Sequence, residues 1–406
     1  KNIKPGTINI SNPKYLEKYD QLWNELDLDS WKKYYIWRFL LSVSSFINEE
    51  ATNIKFDFFG KIISGTPELL PWWKRLINIC DSQLGEVVAK MFVKKHFSEK
   101  SKEKALKLVS YIKDELKNRL ENNDWMESKT KKKALEKLKL MRTKIGYPEV
   151  AKDYTKLILS LKDNFLTNNL KCMKFNEDKD WEKLYKKKEK DEWFMHAHMV
   201  NAYYSPSNNE IVFPAGILQE PFFNYDYDAA LNFGGIGCVI GHEITHGFDD
   251  QGRKFDSHGN LNDWWSENDA KKYKEKTDKI KNQYSNYIIQ GKNLNGELTL
   301  GENIADLGGV SISYYSFTNY LNDHPEENKV LDGLTPYKRF FINYAKIWRC
   351  NTRPKEILKR LVIDPHSPPE FRVNGVLTNL KEFYNAFEVK EGDKLWKPEN
   401  ERANIW

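Results

Sequence analysis

The five residues His242-Glu243-Ile244-Thr245-His246 constrain the fold of this chain more than any other stretch. If they form an α-helix, four residues turn it by about 400°, so the two histidines lie on one face, one turn apart. Both imidazoles can then reach one ion at about 2.0–2.1 Å. Glu243 points to the side, where it can act on a water molecule instead of binding the metal. The stretch therefore predicts a metal-binding helix, although histidines at this spacing also occur on ordinary surface helices.

Two histidines supply only half of a tetrahedral site, so a further protein ligand has to come from elsewhere in the chain. Glu302 and Asp306 are four residues apart and would share one face of a helix. Glu302 can bind the metal, and Asp306 can accept a hydrogen bond from a ligand histidine and so fix its tautomer. An ordinary acidic helix start is the alternative. Gly308 and Gly309, which follow, favour close packing against another element.

A third candidate element is the proline-flanked segment 364–369, which should hold His366 in a rigid loop. An imidazole there could donate a hydrogen bond to an oxyanion, and Arg372 could pair with a substrate carbonyl or carboxylate. A lone histidine is more often an ordinary surface or core residue. Both assignments therefore depend on the metal-binding stretch.

Composition indicates a folded protein with no membrane span in this chain. The 406 residues are 40 % hydrophobic, which excludes wholesale disorder, and no run approaches the roughly 20 apolar residues that cross a bilayer. The net charge of +6 is mild. The one dense basic run, residues 129–144, has apolar residues at helical spacing and favours a solvated helix face over a nucleic-acid patch. We therefore expect no nucleic-acid partner.

The four cysteines form no closely spaced pair. A disulfide-dense secreted domain would carry more. This favours a reducing compartment or a lineage that does not rely on disulfides. We expect a cytoplasmic protein, although position 1 is Lys and an upstream anchor or signal would change the expectation.

Periodicity predicts a mainly α-helical chain with a small β-sheet, an α+β fold. Residues 1–190 should form a helical lobe, and the shift to aromatics, Gly and Asn near residue 190 should open a second domain over residues 191–406. Residues 234–237 are rich in glycine but fit no phosphate-binding pattern. The expected helices are near 101–121, 128–143, 268–289 and 335–349, and the expected hairpin pairs 200–204 with 210–213.

Longer stretches around these motifs resemble the neprilysin-like zinc metallopeptidases of family M13. In the family's order they are Val200–Tyr204, Ile211–Gln219, Asn232–Gly237, His242–Asp250, Gly301–Asp306 and His366–Pro368. The resemblance implies a zincin (thermolysin-like) catalytic domain over residues 191–406 with an α-helical companion lobe. It also implies a chain that begins well inside the family's usual length and lies closer to the bacterial-type oligopeptidases.

The resemblance implies a role for each site residue. One Zn²⁺ per chain would have three protein ligands, namely His242, His246 and Glu302. Glu243 would be the general base, and Asp306 would be the family's proton donor behind a ligand histidine. His366 would stabilise the tetrahedral intermediate, and Asp249 is a weaker candidate for a position behind a ligand.

Substrate contacts follow in the same way. Asn201 and Ala202 match the edge-strand residues that hold the substrate backbone, and Arg372 matches the arginine that grips a substrate carbonyl. The hydrophobic S1′ pocket would be lined by Ile217, Phe222, Val239 and Trp348. These matches imply a monomeric zinc endopeptidase that cleaves oligopeptides on the amino side of large hydrophobic residues. The alternative is a catalytically impaired protein of the same fold that binds peptides or partners.

Overall fold

The computed structural model describes residue 10, residues 12–184, residue 186 and residues 189–406. The chain divides into two compact units. The first takes the described residues up to Leu69 together with Leu157–Lys174, and the second takes Leu70–Lys156 and Phe175–Trp406. This division does not coincide with the boundary expected near residue 190, which stays a prediction.

Helices dominate the chain and the strands are few and short, so the expected mainly α fold with a small sheet is confirmed. The helices are α1 (Pro13–Glu25), α2 (Leu28–Ile47), α3 (Glu49–Lys55), α4 (Trp72–His96), α5 (Glu99–Glu121), α6 (Ser128–Leu140), α7 (Phe165–Lys183), α8 (Ala229–Asn232), α9 (Cys238–His246), α10 (Glu267–Ser285), α11 (Leu300–Asp323), α12 (Pro336–Ile347), α13 (Pro354–Ile363), α14 (Pro369–Leu377) and α15 (Lys381–Phe387). The strands are β1 (Arg142–Gly146), β2 (Tyr203–Ser205), β3 (Glu210–Pro214), β4 (Ile288–Ile289) and β5 (Lys292–Asn293). Within the described residues, none of these helices combines the length and the apolar character that a bilayer crossing needs.

The first unit contains three helices with side-chain caps. Asn12, Asp27 and Asn48 each accept a hydrogen bond from a backbone N–H in the first turn of α1, α2 and α3. Each cap satisfies a donor that the helix itself leaves unpaired. Trp31 is almost buried, and its ring centroid lies 5.6 Å from that of Tyr19.

In the second unit, α9 and α11 pack against each other through glycines. A Cβ atom at Gly309 would lie 2.5 Å from the backbone nitrogen of His242, and a Cβ at Gly241 would lie 2.6 Å from the carbonyl oxygen of Gly309. A Cβ at Gly308 would lie 2.7 Å from the side chain of Thr245. Only glycine permits this approach. The close packing expected from Gly308 and Gly309 is confirmed.

The sheet has the order β1-β3-β2, so β2 is an edge strand. β3 is fully buried and pairs in parallel with β1 and antiparallel with β2. The predicted hairpin is present, but its first strand begins at Tyr203 and not at Val200. The expected helix to residue 143 is wrong, because α6 ends at Leu140 and the following residues pair with β3. This strand pairing overrides the helical period of the basic run.

Two other expected helices end early. α10 stops at Ser285, and residues 288–289 instead pair with 292–293 in a hairpin. Its turn residues Gln290 and Gly291 have φ values of 51° and 72°, which is the geometry of a tight two-residue turn. α12 spans Pro336–Ile347, within one or two residues of the expected 335–349. α5 confirms the helix expected near 101–121.

The basic run is only partly a solvated face. Lys129, Lys132 and Lys133 are exposed, as expected. Lys137 is 0 % exposed and Lys144 is 8 % exposed, so the expectation is wrong for these two. Nζ of Lys144 lies 2.9 Å from a carboxylate oxygen of the buried Glu210, which places an ion pair between β1 and β3.

Candidate active site

Helix α9 brings the two histidines of the motif to one point. A π-helical turn, Phe233–Gly237, leads into the helix. The Nε2 atoms of His242 and His246 lie 2.9 Å apart, and the ring planes are nearly perpendicular. Both imidazoles therefore direct the same nitrogen towards the same small volume, as the spacing predicts.

Glu302, on the first turn of α11, completes a triangle of ligand atoms. Its Oε2 lies 3.2 Å from Nε2 of His242 and 3.6 Å from Nε2 of His246. Among the described residues, no donor meets this buried oxygen in hydrogen-bond geometry. A buried carboxylate oxygen without a partner costs free energy unless a cation is bound beside it. The donor set of two imidazoles and one carboxylate is one that zinc accepts.

Glu243 is a second carboxylate near the same point, because ligand atoms of His242, Glu243 and His246 lie within 4.8 Å of one another. Distance alone would admit it as a ligand. Burial raises the pKa of the Glu243 carboxyl, although the two imidazoles oppose this shift. A raised pKa suits a group that takes up and releases a proton. The assignment of Glu302 as ligand and Glu243 as base stays a prediction.

Each ligand histidine is held from behind by a carboxylate. Nδ1 of His242 lies 2.8 Å from Oδ1 of Asp306, and Nδ1 of His246 lies 2.7 Å from Oδ2 of Asp249. An Nδ1–H donated to a carboxylate leaves Nε2 free for a cation. The structure thus places Asp306 and Asp249 behind the two histidines that are predicted to be ligands.

Arg372 fixes Asp306 in turn. Its Nε and Nη2 each donate a hydrogen bond of 2.7 Å to the two oxygens of this carboxylate, and its guanidinium lies 4.0 Å from the ring centroid of Trp348. Burial would raise the pKa of Asp306, but Arg372 and His242 outweigh it and lower the pKa. This geometry fits a carboxylate that orients His242, and the proton-donor role stays a prediction.

His366 faces the triangle from the loop before α14. Its Nε2 lies 3.2 Å from Oε2 of Glu302, while Oδ1 of Asp364 accepts from its Nδ1 at 2.8 Å and from its backbone N–H at 2.9 Å. Ser367 anchors the loop by donating to Oδ1 of Asn303 at 2.7 Å. Sequence reasoning assigned no role to Asp364, although an aspartate two residues before a histidine in a proline-rich turn was the available signal.

Every side chain predicted for the site lines one cavity of about 540 Å³. Asn201 and Ala202 lie immediately before the edge strand β2, and the side chain of Asn201 accepts from the N–H of Ala202 at 2.9 Å. The expected edge strand beside the cleft is therefore present. The predicted S1′ residues Ile217, Phe222, Val239 and Trp348 line the same cavity. Sequence reasoning did not single out four further lining residues, Val310, Tyr344, Ile347 and Gln251.

Comparison with known proteins shows which family this chain resembles. Two models of peptidase family M13 match the chain, one over residues 1–148 and the other over residues 201–403. Human endothelin-converting enzyme 1 is 38 % identical over 99 % of this chain and 54 % of its own length. Human neprilysin is 36 % identical over 99 % of this chain and 56 % of its own length.

A solved structure is also similar. The zinc metalloprotease Zmp1 of Mycobacterium tuberculosis, in complex with an inhibitor, superposes with a TM-score of 0.92 and 40 % identity. The match covers 97 % of this chain and 60 % of that chain. This chain thus spans little more than half the length of the relatives it matches.

The comparisons correct one expectation. The cytoplasmic assignment is wrong, because endothelin-converting enzyme 1 and neprilysin are membrane-bound ectoenzymes. The inference failed because a low cysteine content marks the compartment only in small domains, which need disulfides for stability. A chain with a large core has no such need.

The two family models match residues 1–148 and residues 201–403, and the second match alone covers half of the chain. The similar sequences and the superposed structure belong to the same family. This chain belongs to peptidase family M13.

Proposed function

We propose that this chain hydrolyses peptide bonds in oligopeptides with one Zn²⁺ held by His242, His246 and Glu302. The observation that carries the proposal is the buried Oε2 of Glu302, which faces both histidine Nε2 atoms and which no donor of the described residues meets in hydrogen-bond geometry. Family membership alone does not assign a role to each residue, and the chain spans only about half the length of its relatives. The activity and the residue roles are therefore proposed for this chain.

Bound zinc would lower the pKa of a water molecule and polarise a substrate carbonyl. The protein's part is to move protons and to hold the substrate. Glu243 accepts the proton of the attacking water and passes it to the departing amine. Its buried position and raised pKa suit both transfers.

His366 and Arg372 would act on the substrate carbonyls. The contact of Nδ1 of His366 with Asp364 leaves the ring's Nε2 facing Glu302. From there Nε2 would donate a hydrogen bond to the oxyanion of the tetrahedral intermediate. Arg372 uses Nε and Nη2 on Asp306, so its Nη1 is the donor left to grip a substrate carbonyl.

The apolar wall formed by Phe222, Val239 and Trp348 would receive the side chain that follows the cleaved bond. Transfer of a large apolar side chain from water into this wall favours binding by about 1.5–3 kcal/mol. We therefore propose cleavage on the amino side of large hydrophobic residues. Asn201 and Ala202 would hold the substrate backbone along the edge strand. Residues 191–406 would form the catalytic domain of a monomer, with residues 1–190 as its helical lobe and peptides as its partners.

The test uses the full chain, with zinc measured by mass spectrometry and cleavage measured on quenched fluorescent peptides. Glu243→Gln should bind zinc as the wild type does and lose cleavage, because the amide cannot accept a proton. Glu275→Gln, at an exposed glutamate on α10, is the matched control and should change neither. Normal turnover in Glu243→Gln would refute the base, and a wild type that binds zinc and peptide without cleavage would favour the impaired binder.

A further inference from the structure

The buried Lys137 of the basic run contacts the segment that follows the metal-binding helix. Its Nζ donates three hydrogen bonds of 2.7 Å, all to backbone carbonyl oxygens. The acceptors belong to Gly247, Gly252 and Phe255. These three contacts play no part in the proposed catalytic steps. We call residues 247–255 the post-helix loop.

The post-helix loop carries Asp249, which holds His246. Oδ2 of Asp249 meets the histidine Nδ1, and Oδ1 accepts from the backbone N–H groups of Gln251 and Gly252 at 2.9 and 2.6 Å. Gly252 thus donates to Asp249 through its N–H and accepts from Lys137 through its carbonyl. A Cβ at Gly252 would lie 1.8 Å from the carbonyl oxygen of His246. The loop therefore lies directly against the ligand's own backbone.

The same position on α6 also contacts the hairpin that carries the substrate edge. Nδ2 of Asn209 donates to the carbonyl oxygens of Lys137 and Ser257, at 3.0 Å each. The hydroxyl of Tyr204 donates to Oδ1 of Asn209 at 3.2 Å. Lys137 is therefore joined through side chain and backbone to both walls of the cleft.

The chemistry of an ammonium group explains why lysine occupies this position. Three carbonyls, two buried and one partly buried, converge on one point. An ammonium offers three donors, whereas methionine of similar length offers none. Each buried carbonyl left without a donor is costly. Burial lowers the pKa of Lys137 to about 7, with Asp249 and Asp256 opposing the shift. Burial therefore destabilises the ammonium charge of Lys137, and the three carbonyl oxygens of the post-helix loop stabilise it.

We infer that Lys137 is a positioning residue of the metal site, which fixes the post-helix loop so that Asp249 holds Nε2 of His246 towards the zinc. The inference rests on the proposed function, because it needs His246 to be a ligand. It predicts that a residue on a different helix, with no contact to the metal, controls the affinity for zinc.

The test measures the zinc dissociation constant of the full chain by competition with a chromophoric chelator, which does not depend on turnover. Lys137→Met should weaken zinc binding about tenfold, at the low end of the range for residues that orient a ligand. Asp249→Ala should weaken it by at least as much. The double variant should be no worse than Asp249→Ala, because both changes act through one carboxylate. Lys133→Met, at an exposed lysine on the same helix, is the matched control.

Asn209→Ala gives a second route if Lys137→Met fails to fold, since it removes the contact to Lys137 without leaving a buried charge. It should weaken zinc binding several-fold. Wild-type affinity in the folded Lys137→Met protein, or in Asn209→Ala where the former does not fold, overturns the inference. So does a double variant whose losses multiply. A wild type that binds no zinc overturns the proposed function instead.

Discussion

Replacing Gly309 by alanine should push apart the two helices that carry the metal ligands. The new Cβ would lie 2.5 Å from the backbone nitrogen of His242 and 2.7 Å from the carbonyl oxygen of Cys238. Ordinary contacts are roughly 3.5 Å, so α9 and α11 would have to separate by about 1 Å. Neither contact can be relieved by a side-chain rotation, because both partners are backbone atoms.

Separating the two helices should lower both the free energy of unfolding and the affinity for zinc. Overpacking of this kind costs about 1–3 kcal/mol, against a gain of about 1 kcal/mol from alanine's higher helix propensity. The net free energy of unfolding should fall. Glu302 lies on one helix and the two histidines on the other, and ligand distances tolerate only about 0.2 Å. Zinc affinity should therefore fall more steeply than stability.

Urea denaturation with and without a chelator measures stability, and chelator competition measures zinc affinity. Thr318→Ala is the matched control, since it raises helix propensity on α11 at a half-buried residue whose hydroxyl donates to the carbonyl oxygen of Tyr314 in its own helix. A Gly309→Ala protein that is more stable than the wild type and binds zinc normally would refute the reasoning. Helix propensity alone would then determine the effect of the substitution.

Three further predictions concern separate parts of the molecule. Asp364→Ala should lower kcat/KM by roughly 10²-fold or more, the cost of one lost oxyanion donor, and His366→Ala combined with it should be no worse in the quenched-peptide assay. Trp348→Ala should reduce the preference for cleavage before phenylalanine over alanine by about tenfold or more; an unchanged ratio places the specificity pocket elsewhere. Burial lowers the pKa of Lys113 to about 8, below its unfolded value of 10.5, so the unfolded chain binds more protons between these values and stability should rise with pH there. Lys113→Met, compared in urea at pH 8 and pH 10, should lose that rise.

The convergence of the two histidines was predictable because its signal is local. Helical spacing alone places His242 and His246 on one face, and their Nε2 atoms lie 2.9 Å apart in the structure. The same spacing relates Glu302 to Asp306, which the structure places beside the histidines. Periodicity could not show that α9 and α11 pack together, and only the paired glycines hinted at it. The long family motifs supplied what spacing could not.

The failures came from contacts between distant parts of the chain. The helical period of the basic run extends the expected helix to residue 143, yet residues 142–146 pair with β3, which lies more than 60 positions away. Lys137 reads as one more charge on a solvated face until the post-helix loop packs over it. A sequence pattern shows which face of a helix or strand can be buried. Which other segment packs on that face depends on the tertiary structure.

The charges of the site explain why these contacts form one structure. Four largely buried carboxylates, Asp249, Glu243, Glu302 and Asp306, surround a cavity in which Arg372 is the buried guanidinium. Arg372 pairs with Asp306 at 2.7 Å and lies 3.7 Å from Oε2 of Glu302, so one guanidinium serves several carboxylates, and imidazoles are neutral when they bind a metal. A divalent cation would compensate the remaining charge, since buried charge without a partner is costly. The carboxylates of Asp249 and Glu302 raise the pKa of His246 despite burial, so a proton and a cation would compete for this imidazole. We therefore expect zinc binding to release protons, and the proposed role of Lys137 would make the post-helix loop part of that balance.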